Sequence, residues 1–136
     1  MDTKDTQAMA QHLSTLRSES LGLREQIDVL NHYISVVAEK ISEANTAVTA
    51  STHFSIDNRR YAVSWMRIGS EKKEWSLCIH DWPELNPNPS DNLQRLESSP
   101  LHIRTAAARV LPQLVEALVK KTREVAKSLA EAVPEV

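Results

Sequence analysis

Cys78, His80, Asp81 and Glu84 form the one stretch of the chain where a thiol, an imidazole and carboxylates stand close together in sequence. On an extended strand side chains alternate between faces, so Cys78 and His80, two residues apart, share a face. That is the placement needed by a thiol–imidazole pair, or by two ligands of one metal ion. Nothing elsewhere completes either arrangement. Metal sites usually carry a second ligand pair at characteristic spacing, and none is present. His12, His32, His53 and His102 are scattered among polar neighbours and read as surface residues. The cluster is therefore read as structural, and neither a metal nor a cofactor is expected.

Other short catalytic signatures are missing as well. There is no glycine-rich phosphate loop, no G-x-S-x-G elbow and no H-E-x-x-H helix, and Gly22 and Gly69 are the only glycines. No catalytic residue is assigned. An enzyme acting on a small molecule ranks third among the readings, because a site assembled from distant residues leaves no short motif.

The remaining side chains of interest suit recognition rather than catalysis. Trp65, Trp75 and Trp82 concentrate around one region. Trp75 is assigned to the core, while Trp65 and Trp82, together with Arg67 and His80, are candidates for a partner-binding patch, since tryptophan and arginine are enriched at interfaces. Charge is uneven along the chain. Arg104, Arg109, Lys120, Lys121, Arg123 and Lys127 face only two acidic residues between positions 104 and 127, whereas residues 1–50 carry seven acidic and four basic side chains. Mutual attraction of two helices, or solvated faces, explains this asymmetry most simply. A nucleic-acid-associated regulator using the basic C-terminal helix is the alternative reading. It is disfavoured because the net charge of -2 supplies no global basic field for phosphate.

These residues have to be positioned by a fold that the chain of 136 residues is long enough to build as one domain. With 41% hydrophobic and 25% charged residues it has the make-up of a folded globular protein. Met9, Leu13, Leu16, Ser20, Leu23, Ile27, Leu30, Ile34, Val37, Ile41, Ala44 and Val48 step by four and three, a heptad pattern that predicts a helix over about residues 5–48. Leucines 16, 23 and 30 take one core position of the heptad and isoleucines 27, 34 and 41 the other, the combination favoured by two parallel strands of a coiled coil. Glu19 and Arg24 are placed to pair across such a dimer. The poorer helix formers from Ser20 to Gly22 predict a kink or fraying there.

Two β-prone runs, YAVSWMRIG and EWSLCIH, flank SEKK and predict a hairpin over about 61–80, with HFSI as a short third strand beside it. A four-residue loop would set Ile68 opposite Trp75 and Met66 opposite Leu77, so that Met66, Ile68, Trp75, Leu77 and Ile79 form the buried face. The proline-rich segment 81–92 reads as an extended connection with a short helical piece at its end. Ser99 and Pro100 then open a helix over about 100–133 as N-cap and first residue, with a kink at Pro112.

The expected fold class is thus α+β, two long antiparallel helices with a small antiparallel β-hairpin or three-stranded sheet between them. Such helices leave apolar stripes that one chain of this size covers poorly. The expected function follows from that: a non-catalytic interaction or adaptor protein whose partners are a second copy of itself and an unknown protein. Leu16, Leu23, Ile27, Leu30, Ile34, Val37 and Ile41 are the candidate oligomer interface. A dimer is expected, and the second apolar line of Val29, Tyr33 and Val36 keeps a tetramer open. The opening MDTKDTQAMA lacks a signal-peptide pattern, no run is apolar enough to span a membrane, and Cys78 is the only cysteine. A cytoplasmic location is the expectation.

Overall fold

The computed structural model describes residues 3–69, 74–81 and 93–133. The elements follow in the order α1 (Thr3–Glu43), β1 (Ala50–Ile56), β2 (Arg59–Ile68), β3 (Glu74–Asp81), β4 (Gln94–Arg95), a 3-10 turn (Leu96–Ser98) and α2 (Leu101–Ala132). The architecture is α+β, in helix, sheet, helix order, with four antiparallel strands in the order β1-β2-β3-β4. By internal packing the chain divides into two compact units, Met1–Tyr33 and Ile34–Val136.

The first unit is helix. The helix runs without a break through Ser20 and Gly22, whose poor helix propensity predicts a kink or fraying. No residue between Thr3 and Tyr33 is buried. An isolated helix gains little stability in water from propensity alone, so this segment has the pattern of a packed helix without the packing.

The second unit opens with the last turns of α1, which stop at Glu43 rather than near residue 48. The amides of Ala44 and Asn45 donate to the carbonyls of Lys40 and Ser42 at 3.1 and 3.0 Å, and Asn45 takes a left-handed φ of 53°. Asparagine is among the few residues other than glycine that accept this conformation readily, and it ends the helix although the apolar spacing continues to Val48.

The sheet starts with a hairpin whose turn is Asp57-Asn58, both with positive φ, at 48° and 67°. Two central residues in this region are what a two-residue hairpin loop of the I′ type needs, and the turn fixes Ile56 opposite Arg59. HFSI is the body of β1, as expected.

The β2–β3 register differs from the expected one by a single residue. Ile68 pairs with Glu74, Arg67 with Trp75 and Trp65 with Leu77. Gly69 leaves the strand with a φ of 96°, so it belongs to the connection and lengthens it beyond SEKK. Because side chains alternate, a slip of one residue exchanges the faces of one strand relative to the other. Tyr61, Val63 and Trp65 therefore join Leu77 and Ile79 on one buried face, while Met66 and Ile68, expected there, lie half-buried on the opposite face, which buries the smaller Ala62, Ser64 and Cys78.

α2 lies against this sheet over β1 and β2. Its Ile103 lines a cleft with Tyr61 and Ile79, which places the helix on the face that carries the large apolar side chains. Ala107, Ala108, Leu111, Leu114 and Leu118 are its buried stripe. The helix continues without interruption through Pro112, although proline supplies no amide to the preceding turn. Its start also departs from expectation. Pro100 is the capping residue, its carbonyl accepting from Ile103 and Arg104 at 3.1 and 3.0 Å, while the Ser99 hydroxyl turns back to donate to the Leu96 carbonyl at 2.7 Å. The helical piece expected near the end of the proline-rich segment is β4 followed by the 3-10 turn. The rest of that segment, 82–92, lies outside the described residues, as does the SEKK loop.

Candidate functional site

The strongest sequence feature, the heptad stripe, divides into two parts of different character. Met9, Leu13, Leu16 and Leu23 are 58%, 57%, 60% and 51% exposed, so each still presents about half its surface to solvent. Ile27 and Leu30 are half-buried. Ile34 and Ile41, also candidates for the oligomer interface, are instead core residues of the second unit, at 5% and 7% exposure, and Val37 is half-buried. The reason is their place on α1: from Ile34 onward the stripe faces the same unit as α2, and Ile41 and Val37 line a groove together with Leu118. The part of the stripe open to a second molecule is therefore the earlier one, Met9 to Leu23.

The four candidates for a partner-binding patch do not form one surface. Trp65 is buried at 3% exposure, with its indole N–H unpaired, and stacks on Trp75 at 6.2 Å between ring centroids. The exposed Arg67 guanidinium sits 5.0 Å over the Trp75 ring, a cation–π contact that extends the stack. Trp65 and Arg67 thus do come together, but Trp65 serves as core. His80 lies on the other face, because Ala62 is its partner across the ladder. Trp82 and Glu84 lie outside the described residues.

On that other face the strands align a polar row that motif reading missed. The Ser51 and Ser64 hydroxyls are 2.6 Å apart, Ser64 Oγ is 3.1 Å from His80 Nε2, and His80 Nδ1 is 3.3 Å from the carbonyl oxygen of Asp81. With Nδ1 protonated and donating to that carbonyl, Nε2 accepts from Ser64, which accepts from Ser51. A hydroxyl held on an imidazole is the first half of a nucleophilic site. Here Ser64 is 1% exposed, so its oxygen is withdrawn from solvent and from any substrate arriving through it. The chain of bonds satisfies buried polar groups. The Asp57-Asn58 turn held the signal for it: that turn fixes Ser51 opposite Ser64.

Cys78 shares this face and is fully buried. Loss of solvation pushes its thiol up to about 11, against a smaller opposing pull from the Arg95 guanidinium across the ladder. Its Sγ donates to the Ser76 carbonyl at 3.7 Å. A thiol so held is neutral near pH 7 and is neither a nucleophile nor a metal ligand in that state. The Asp81 carboxylate is engaged by Arg59 at 2.8 Å, and Glu74 by Arg95 at 2.9 Å. Among the described residues, no three His, Cys, Asp or Glu side chains converge. Arg109, Lys120, Lys121, Arg123 and Lys127 are exposed along α2, while Arg104 is half-buried. No helix of the described residues is long and apolar enough to cross a membrane.

Comparison of the chain with protein-family models, curated proteins and solved structures finds no match.

Proposed function

We propose that this protein is a non-catalytic, self-associating interaction protein of the cytoplasm, and that it assembles through the early heptads of α1. The observation that carries the reading is the exposure of Met9, Leu13, Leu16 and Leu23 along one stripe of a helix in which nothing is buried before Ile34. About half of each side chain remains to be covered, and a fully buried Leu or Met contributes about 1.5–3 kcal/mol. Four such residues per chain give a driving force of several kcal/mol before the cost of association. Glu19 and Arg24 flank the stripe at positions that pair between parallel helices. Val29 and Tyr33, at 70% and 41% exposure, form a second line that a tetramer would use. A further protein could dock on the same stripe, which makes an adaptor role the natural extension.

The test is sedimentation equilibrium of the wild type and of a Leu16→Glu, Leu23→Glu variant at micromolar concentration. Both positions are exposed within the chain, so the variant is expected to fold and to be monomeric, because each carboxylate would otherwise be desolvated without a partner. A monomeric wild type, or a variant that associates as well as the wild type, overturns the reading.

A further inference from the structure

Between the last turns of α1 and the middle of α2 lies an open groove of about 580 Å³. Its floor is Val36, Val37, Ile41, Val115, Leu118 and Val119, and the cationic side chains of Lys40 and Arg123 border it. Val115 and Val119 are 39% and 45% exposed, so the floor is open to solvent. The two hydroxyls of the lining are already engaged: Thr122 donates to the Leu118 carbonyl at 2.7 Å and lies 3.4 Å from Thr46. Lys40 makes only an exposed contact with Glu43 at 3.3 Å, and no ion pair of Arg123 is found among the described residues. An apolar floor bordered by the Arg123 guanidinium and by Lys40, whose pairing with Glu43 is solvent-exposed, is complementary to an amphiphile with an anionic head.

Size and charge together select among occupants. The helical walls of the groove run over residues 36–43 and 115–123, so a ligand lying between the helices meets roughly 10–12 Å of wall at 1.5 Å per residue. A stable protein partner needs about 800 Å² on each side, which so short a wall does not offer, whereas the volume falls within the usual range for small-ligand sites. We propose that this groove binds a free medium-chain alkyl carboxylate, its chain on the valines, Ile41 and Leu118 and its carboxylate at Arg123 and Lys40. This site is separate from the α1 stripe and does not depend on self-association.

The experiment is isothermal titration of the full chain with dodecanoate below its micellar concentration, beside decanoate, octanoate and dodecanol. Dodecanoate is expected to bind at one site per chain. Affinity should rise by up to about four-fold per methylene from octanoate to decanoate, the effect of burying one CH₂. Dodecanol and an Arg123→Gln variant should each bind about five-fold more weakly, the upper range for an exposed ion pair. Val119→Asp should abolish binding, with circular dichroism confirming that it folds, and Val115→Asp serves as the second variant. Absence of binding overturns the proposal. So do equal affinities for dodecanoate and dodecanol, or binding that survives both aspartate variants. Weakening of dodecanoate binding as protein concentration rises would instead assign the groove to another copy of the chain.

Discussion

Replacing Val63 and Met66 by alanine, one at a time, tests which face of the sheet is the core. Val63 is fully buried, opposite Ile79 and two residues from Trp65, whereas Met66 is half-buried on the other face opposite Ser76. Val63→Ala removes two methyl-sized groups at about 0.8 kcal/mol each and leaves a small cavity, for a total of about 2–3 kcal/mol. Met66→Ala removes more atoms, but from a side chain only partly withdrawn from water, and should cost about 1 kcal/mol. With a urea dependence of about 1.5 kcal/mol per molar, the midpoints fall by about 1.3–2 M and about 0.7 M respectively. Urea melts followed by circular dichroism measure both. If Met66→Ala is the more damaging of the two, the strand register is the one with Met66 opposite Leu77, and Tyr61, Val63 and Trp65 do not belong to the core face.

Two further outcomes follow from local chemistry. The Cys78 thiol, raised from 9.0 to about 11, makes folding favour the protonated form; its contribution is fully present below about pH 9 and is lost as pH rises through about 11. Stability should fall by up to roughly 2–3 kcal/mol across that window beyond any decline shown by Cys78→Ala, and parallel urea melts of the two proteins that coincide at every pH would contradict this. Asn58 holds a φ of 67° in the two-residue turn, so Asn58→Val should lower stability by about 1–2 kcal/mol, while Asn58→Gly should leave it unchanged or raise it, as thermal melts would record.

The order of elements could be read from the sequence because each has a strong local signal. The three-and-four spacing marks both helices, β-branched and aromatic runs mark β2 and β3, and HFSI marks β1. Three features could not be read this way. The end of α1 depends on the backbone conformation of Asn45, which overrides an apolar pattern that continues past it. The β2–β3 register depends on whether Gly69 belongs to strand or loop, and that single residue decided the fate of Trp65. β4 has only two residues, too short for periodicity, and pairs Gln94 and Arg95 with Ile79 and Cys78.

The candidate interface was half legible for a related reason. A heptad stripe identifies which side chains want burial but not who buries them, and Ile34 and Ile41 prove to be covered within their own chain. The polar row of Ser51, Ser64 and His80 left no motif because its members come from three strands. It becomes visible only once both registers are known.

The central claim, that the early heptads of α1 are the surface of self-association, is tested most directly by backbone hydrogen exchange at sub-micromolar and at tens of micromolar concentration. A helix with no buried residue exchanges quickly, whereas one paired with a second copy is protected by the free energy of association. The expected result is protection that rises with concentration within residues 3–33 and stays constant in the sheet and α2. Exchange in residues 3–33 that is equally fast at both concentrations would contradict self-association through this helix.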